Sequence, residues 1–312
     1  MSAWKSPAGR GRFTLVDFHL SPMKTLVSVA EMQVAAAGVR GAGRSIGLVP
    51  TMGALHQGHL SLVRRAQQEC DVTVVSVFVN PAQFGPNEDY LNYPRDPERD
   101  RGRLEREGVD FLFAPTVEEM YPPGFQSYVT VEQVAAPLEG EFRPGHFRGV
   151  ATVVAKLFQA VQPHRAYFGQ KDAQQCVVVQ RMVRDLHLPV EIVVCPIVRE
   201  TDGLAMSSRN ACLNAEERRA ALVLYRALSG ARERLQQGER DSASIAAEMR
   251  RLIEQEPSAR IDYAAVVDAE TLAPVERVTG RVLVALAVWI GRVRLIDNVV
   301  VEEHDGRVTS LL

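Results

Sequence analysis

Residues 45–79 read SIGLVPTMGALHQGHLSLVRRAQQECDVTVVSVFV, and the changes of rhythm inside this stretch decide the fold. Ser45 to Val49 is short and apolar and ends at Pro50, as a strand does before a turn. Thr51 to Gly58 holds Gly53 and Gly58, the residues of a tight connection. Over Leu60 to Cys70, the side chains Leu62, Val63, Ala66 and Cys70 recur at helical spacing. Val72 to Val79 is then an unbroken β-branched run, the pattern of a strand covered on both faces. Strand, helix and strand in this order form a βαβ unit, which implies parallel strands and a right-handed crossover.

The pattern repeats downstream. A charged helix over Arg99 to Glu107 leads to a strand at Phe111 to Ala114. Val150, Val153, Val154, Leu157, Phe158 and Val161 line one helical face before a short strand at Ala166 to Phe168. A helix over Asp172 to Leu186 precedes a strand at Val190 to Cys195. The expected class is α/β, a Rossmann-like doubly wound parallel sheet occupying residues 24–200. Beyond residue 200 the rhythm changes. Asn214 with Glu217 is a capping box, a helix runs from Ser242 to Gln255, and strands follow at Ile261 to Asp268, Arg281 to Ile290 and Val293 to Val300. Gly291-Arg292 marks a tight hairpin, so residues 201–312 read as a smaller α+β domain. Residues 1–23 read as a mobile polar leader, an upstream extension ahead of Met23.

Composition excludes several functions. The 312 residues carry 36 Lys+Arg against 38 Asp+Glu, a net charge of −2. A protein living on nucleic acid or an anionic membrane needs a cation excess, so neither partner is expected. No run of about 18 apolar residues is present, and Asp17 and His19 interrupt the only early apolar patch, so a cytoplasmic protein is expected. Cys70, Cys176, Cys195 and Cys212 stand far apart and read as reduced thiols. Lysine is scarce: Lys5, Lys24, Lys156 and Lys171 are the four, leaving 36 − 4 = 32 arginines.

Polar residues cluster where the apolar strands end, which is where an open α/β sheet binds its ligand. PTMGALHQGH (50–59) joins the first strand to its helix, and a helix N-terminus favours anions. His56 and His59, three apart, can both donate to phosphate oxygens, most strongly when protonated; a metal half-site or plain capping are the other readings. FGQKDAQQ (168–175) sits at another strand-to-helix junction, with Lys171 suited to a phosphate point contact and Asp172 either in the site or a mere N-cap. Met206 to Asn210 is a hydroxyl-rich turn with the fork of Arg209, or a plain loop. Asn80, Pro81 and Gln83 close the run VTVVSVFV, and the neutral amides of Gln83 and Gln175 suit hydroxyls and a carboxylate. Tyr93 to Asp96 and Gly145 to Gly149 read as loops, with His146 more structural than catalytic. Gly41-Ala-Gly43-Arg-Ser-Ile-Gly47 mimics a dinucleotide fingerprint, but it precedes its strand and has Ile46 at the position of the third glycine.

PTMGALHQGH, FVNPAQF, GHFRGV, FGQKDAQQ and GLAMSSRN, in this order, resemble the pantothenate synthetase (pantoate–β-alanine ligase) family from about Lys24 to Val300. The first block looks like the HIGH motif of nucleotidyl-transferring α/β enzymes and MSSRN like a degenerate KMSKS loop. Ala173 stands where that pattern is often aromatic. The resemblance implies ATP as co-substrate with Mg²⁺, pantoate and β-alanine as the other substrates, and a homodimer. It implies ATP binding by Met52, Gly53, Ala54, Leu55, His56, Gln57, Gly58 and His59, by Gly169, Gln170, Lys171 and Asp172, and by Val198, Met206, Ser207, Ser208 and Arg209. It places pantoate on Gln83 and Gln175, with Gln83 also near β-alanine. His59 is implied as the acid, His56 as its companion on the triphosphate, and Lys171 as the third catalytic group. Asn80, Glu88 and Asp89 are implied to line the cleft less directly, the acidic pair on the metal or amine side. The competing readings are an adenylyl- or cytidylyltransferase of the same superfamily, which would keep the nucleotide on its product, and a silent nucleotide sensor.

Overall fold

The structure, a computed structural model, describes residues 22–86, 88–304 and 307–311. The leader expected over residues 1–23 therefore lies outside the described residues up to residue 21.

Six parallel strands form one sheet: β1 (Lys24–Leu26), β2 (Ile46–Thr51), β3 (Val72–Val77), β4 (Phe111–Phe113), β5 (Arg165–Gly169) and β6 (Glu191–Cys195). Their spatial order is β1-β4-β3-β2-β5-β6. From β2 the chain winds through β3 to β4 on one side, then returns to β5 and β6 on the other. The switch point lies between β2 and β5, where such a sheet opens a crevice at its strand C-termini. β2 is paired with β5 only at Gly47 and Leu48, so the two strands part before Pro50. The strand runs through Pro50 to Thr51, further than its sequence suggests; the missing N–H falls where no β5 partner is left to receive it.

Side-chain alternation along the strands builds two cores. Ile46 and Leu48, Val74, Phe113, Ala166 and Phe168 face α1 (Val29–Gly41), α6 (His146–Val161) and α7 (Ala173–Asp185). Val49, Val75, Leu112 and Tyr167 face α2 (Gln57–Glu69) and α3 (Pro97–Arg106). The parallel sheet is thus doubly wound as expected. Short helices α4 (Val117–Met120) and α5 (Glu139–Phe142) interrupt the long connection to α6. Four elements of this unit, β1, α1, α4 and α5, have no counterpart in the periodicity reading. β1 is three residues long, and α1 (VAEMQVAAAGVRG) is apolar on nearly every side, with only Met32 and Ala36 fully buried. The local mark of α1 was Ser28 and Glu31, a capping box closed on both sides. α6 begins at His146, four residues earlier than its apolar stripe, so GHFRG is a helix start and not a loop.

The tail carries α8 (Ala215–Ala220), opened by the Asn214 capping box, then α9 (Leu222–Gln236) and α10 (Ser242–Ile253). Asp241 caps α10 by accepting from Ser244 N at 2.7 Å. An antiparallel sheet follows, ordered β10-β9-β8-β7, from β7 (Ala259–Asp268), β8 (Gly280–Ile290), β9 (Val293–His304) and β10 (Arg307–Leu311). Gly291, with φ +56°, turns the β8–β9 hairpin as its sequence indicated. β8 alternates strictly: Val282, Val284, Leu286 and Val288 pack on α9 and α10, whereas Leu283, Ala285 and Ala287 join the core of the parallel-sheet unit.

Candidate active site

The crevice at the switch point is a cavity of about 200 Å³ bounded by the ends of β2, β3, β5 and β6. Its first wall is the β2–α2 turn. Gly53 has φ +83°, and a Cβ there would come within 3.0 Å of Asp100 Oδ2 and 3.1 Å of Val77 Cγ1. Asp100, buried on α3, accepts from Ala54 N at 2.7 Å and Leu55 N at 2.8 Å, while Thr51 Oγ1 accepts from Gly53 N at 3.2 Å. These backbone donors are thus engaged within the protein. Met52, His56, Gly58 and His59 reach the cleft wall, whereas Gly53, Ala54, Leu55 and Gln57 shape the turn behind it. No local sequence signal marked Asp100, which acts across 45 residues of chain.

The two histidines interlock at the start of α2. Gly58 N donates to His56 Nδ1 at 3.2 Å, and His56 N donates to His59 Nδ1 at 3.3 Å, with the rings 4.0 Å apart. Each Nδ1 is therefore an acceptor, which assigns the proton of the neutral ring to Nε2. Burial, reinforced by Lys171, lowers His56 to about 4. Burial, then His56 and Lys171, hold His59 well below its ordinary value. The charged form of both rings is thus disfavoured in the free protein, because two partly buried rings in contact beside an ammonium cannot both charge.

The floor comes from the turn Pro81–Gln83 after β3. Asn80, buried, accepts from Tyr121 Oη at 2.8 Å and Ala82 N at 3.2 Å, and donates to Gly149 O at 3.1 Å and Gln83 Oε1 at 3.0 Å. Backbone groups of fixed polarity thereby orient the Asn80 amide, which orients Gln83 in turn. The Gln83 carbonyl is occupied, and its Nε2–H faces the cleft at 3.1 Å from Met52 Sδ. GHFRG braces this floor from α6. A Cβ on Gly149 would lie 2.1 Å from Ala82 O, so only glycine permits the approach. His146 Nδ1 donates to Gln83 O at 2.8 Å and its Nε2 accepts from Arg143 at 3.2 Å. Both ring nitrogens are committed, and burial with Arg143 lowers the group to about 4, as suits a neutral structural histidine.

Opposite, β5 ends in a turn of 3₁₀ helix, Gln170–Asp172, that presents Lys171 and Asp172; Gln175 follows on the first turn of α7. Asp172 makes no capping hydrogen bond, so its carboxylate faces the cleft, 3.6 Å from Lys171 Nζ. Gln170 is buried beneath the turn. Past β6, Met206 N donates to Val198 O at 2.9 Å, bringing both residues and Ser207, Ser208 and Arg209 to the rim. Tyr93 Oη lies 3.1 Å from Ser208 Oγ. Glu88 and Asp89 are already paired: Arg143 meets Glu88 at 2.8 and 2.7 Å, and Arg209 meets Asp89 at 2.9 Å through both nitrogens. Glu88 and Asp89, implied as candidates for the metal or amine side, are thus held by arginines that themselves line the cleft. Among the described residues no cluster of three His, Cys, Asp or Glu side chains is arranged to hold a metal ion. Cys70, Cys176, Cys195 and Cys212 are unbonded thiols.

The cleft thus sets two imidazoles, an ammonium and a hydroxyl-rich rim on one side against oriented amides on the other. Residues 24–300 match the family described as Pantoate-beta-alanine ligase. A pantothenate synthetase of Roseiflexus sp. (strain RS-1) is 60% identical over 280 residues, 90% of this chain and all of its own. That of Moorella thermoacetica is 57% identical over 283 residues, 91% of this chain and all of its own. The crystal structure of the Thermus thermophilus enzyme superposes with TM-score 0.85 at 53% identity, covering 88% of this chain and 98% of the other. The Francisella tularensis pantoate-beta-alanine ligase, crystallised with beta-gamma ATP and β-alanine, superposes with TM-score 0.72 at 35% identity, covering 88% and 97%.

Proposed function

Because this chain belongs to the pantoate–β-alanine ligase family, we propose that the cleft at the β2–β5 switch point is where it joins pantoate to β-alanine at the expense of ATP. A carboxylate resists attack by an amine because its oxide is a poor leaving group. ATP removes that obstacle: the pantoate carboxylate attacks the α-phosphorus, pyrophosphate leaves, and an acyl adenylate forms. The β-alanine amine then attacks the acyl carbon and AMP departs. Negative charge develops on phosphate oxygens in the first step, so positioned donors in a shielded cleft carry the catalysis.

In this reading Nε2–H of His59 and of His56 donate to phosphate oxygens as neutral groups, with His59 supplying the acid function, and Lys171 supplies the fixed positive charge. Ser207, Ser208 and Arg209 hold the triphosphate from the rim, while Val198 and Met206 give the nucleoside an apolar wall. The outward Nε2–H of Gln83 and the amide of Gln175 hold pantoate, and the same Gln83 borders β-alanine. The observation that carries the reading is the convergence of Lys171, His56 and His59 on one cavity with Gln83 on its floor. Asp172 is the acid of the cleft whose carboxylate is not committed to an arginine, which suits Mg²⁺ held mainly by phosphates and water. When bound, that ion would neutralise phosphate charge.

A homodimer through the parallel-sheet unit is part of the same reading. β6 is one of the two edge strands of that sheet, and Val194 on it and Leu186 before it are exposed; sedimentation velocity tests this. No helix among the described residues is long and apolar enough to cross a membrane, in keeping with a cytoplasmic site of action.

The decisive experiment omits ATP, pantoate and β-alanine in turn. AMP and pantothenate should form only with all three, and a stoichiometric burst of pyrophosphate should need only ATP and pantoate. Lys171→Ala should lower the burst rate by at least about 100-fold while the protein stays folded; near-normal pyrophosphate release would remove Lys171 from the phosphate site.

A further inference from the structure

The tail sheet reaches the cleft through two adjacent residues of β9 to which the family resemblance assigns nothing. Asn298 is 3% exposed, and its Nδ2 donates to the carbonyls of Gln170 and Lys171, both at 3.0 Å. An amide nitrogen has two hydrogens, and here both go to consecutive carbonyls of the turn that carries Lys171. Its Oδ1 accepts from Gln170 Nε2 at 3.4 Å, so the side chain grips the turn from both ends of its amide. Asp297, 2% exposed, takes Arg199 at 2.6 and 3.1 Å and the backbone N–H of Asn298 at 2.8 Å. Arg199 also donates to Gly203 O at 3.1 Å and pairs with Ala205 in a short bridge, at the root of the segment bearing Met206 to Arg209.

One dipeptide therefore ties together the two segments that flank the phosphate side of the cleft. Packing alone does not ask for it. The next three residues of β9 are Val299, Val300 and Val301, and burying an amide and a carboxylate among them is unfavourable unless each finds partners. We propose that Asn298, held by the Asp297–Arg199 pair, is a positioning residue for the adenylation step: it fixes the Gly169–Asp172 turn so that the Lys171 ammonium is aimed at the phosphates. The inference rests on the reading of Lys171 as a phosphate contact.

The test is a double-mutant cycle on the full-length enzyme, read separately for the two half-reactions. Asn298→Ala should slow pyrophosphate release from radiolabelled ATP by about 10- to 100-fold, the scale of a misplaced catalytic group. Capture of supplied pantoyl adenylate by β-alanine should change by less than about threefold, because that step no longer needs the triphosphate aimed. In the Lys171→Ala background the same substitution should add less than about threefold, since its effect passes through the missing ammonium. Full multiplication of the two losses, or equal slowing of both half-reactions, overturns the proposal in favour of a purely structural contact. If Lys171→Ala alone leaves pyrophosphate release intact, the phosphate-contact reading fails and the inference falls with it. Should Asn298→Ala not fold, Asn298→Ser, which keeps one donor, goes through the same cycle with the same criteria and a smaller expected loss.

Discussion

Three partly buried imidazoles contribute to how this protein responds to acid. His56 and His146 are lowered to about 4 from an ordinary value of 6.5, and His59 lies well below it, burial being the first cause in each. In the unfolded chain they bind protons below that ordinary value; in the folded chain His56 and His146 stay neutral until about pH 4, and His59 is likewise held neutral well below the ordinary value. Between those limits the unfolded state holds more protons, so this part of the stability is complete above the ordinary value and is lost as pH falls. The slope is about 1.4 kcal/mol per histidine per pH unit. Thermal unfolding should show a plateau near neutrality and a steady fall of Tm through mildly acidic pH. Proton uptake on unfolding near pH 5 should approach one per histidine, and His146→Gln should lower it by one. No uptake in that window would refute the neutral assignment. For the same reason kcat/KM for ATP should carry no inflection from these rings between about pH 6 and 8. The histidine pair itself was legible in sequence from its place at a strand-to-helix junction. Its charge state was not, because that depends first on burial and then on Lys171, which is distant in the chain and meets the pair only through the sheet.

At the scale of elements, α6 and the Pro81–Gln83 turn share one contact that tolerates no side chain. The Gly149 carbonyl accepts from Asn80, and a Cβ on Gly149 would stand 2.1 Å from Ala82 O, which is backbone and cannot step aside. Gly149→Ala must therefore lift the turn off the helix. We expect a loss of about 1–3 kcal/mol in denaturant unfolding, the usual scale of overpacking. We also expect KM for pantoate to rise by about tenfold, because the same turn orients Gln83, with KM for ATP changed far less. A variant equally impaired toward both substrates would contradict this division of the cleft. GHFRG and FVNPAQF were each visible as unusual clusters, and their order gave the family resemblance. That one is the brace of the other depends on 60 or so residues of intervening chain folding back. Likewise α1 escaped the periodicity reading because its apolar residues do not confine themselves to one face, although its capping box was there to be read.

For the whole molecule, the boundary placed at residue 200 by the change of rhythm separates two chain segments more cleanly than it separates two cores. Tyr263, Val267, Leu283, Ala285, Ala287 and Val300 of the tail are buried in the same cluster as Phe147, Val150 and Phe168 of the parallel-sheet unit. The run Arg281 to Ile290 was legible as a strand, but not that its second face would be sealed by the other segment. A shared core makes the two parts unfold together, so calorimetry of the full chain should give one transition whose van't Hoff and calorimetric enthalpies agree. Asp297→Ala removes one partner of a buried ion pair at this junction and leaves the Arg199 guanidinium without its carboxylate. It should cost about 3 kcal/mol and lower Tm. If the junction is as cooperative as the common core implies, the variant will melt at lower temperature still in a single step. Two resolved transitions, in the wild type or in this variant, would mean that the tail is an independent domain. The tail sheet would then be a separable attachment to the cleft, and the grip of Asn298 on the Lys171 turn would have to survive without a shared core behind it.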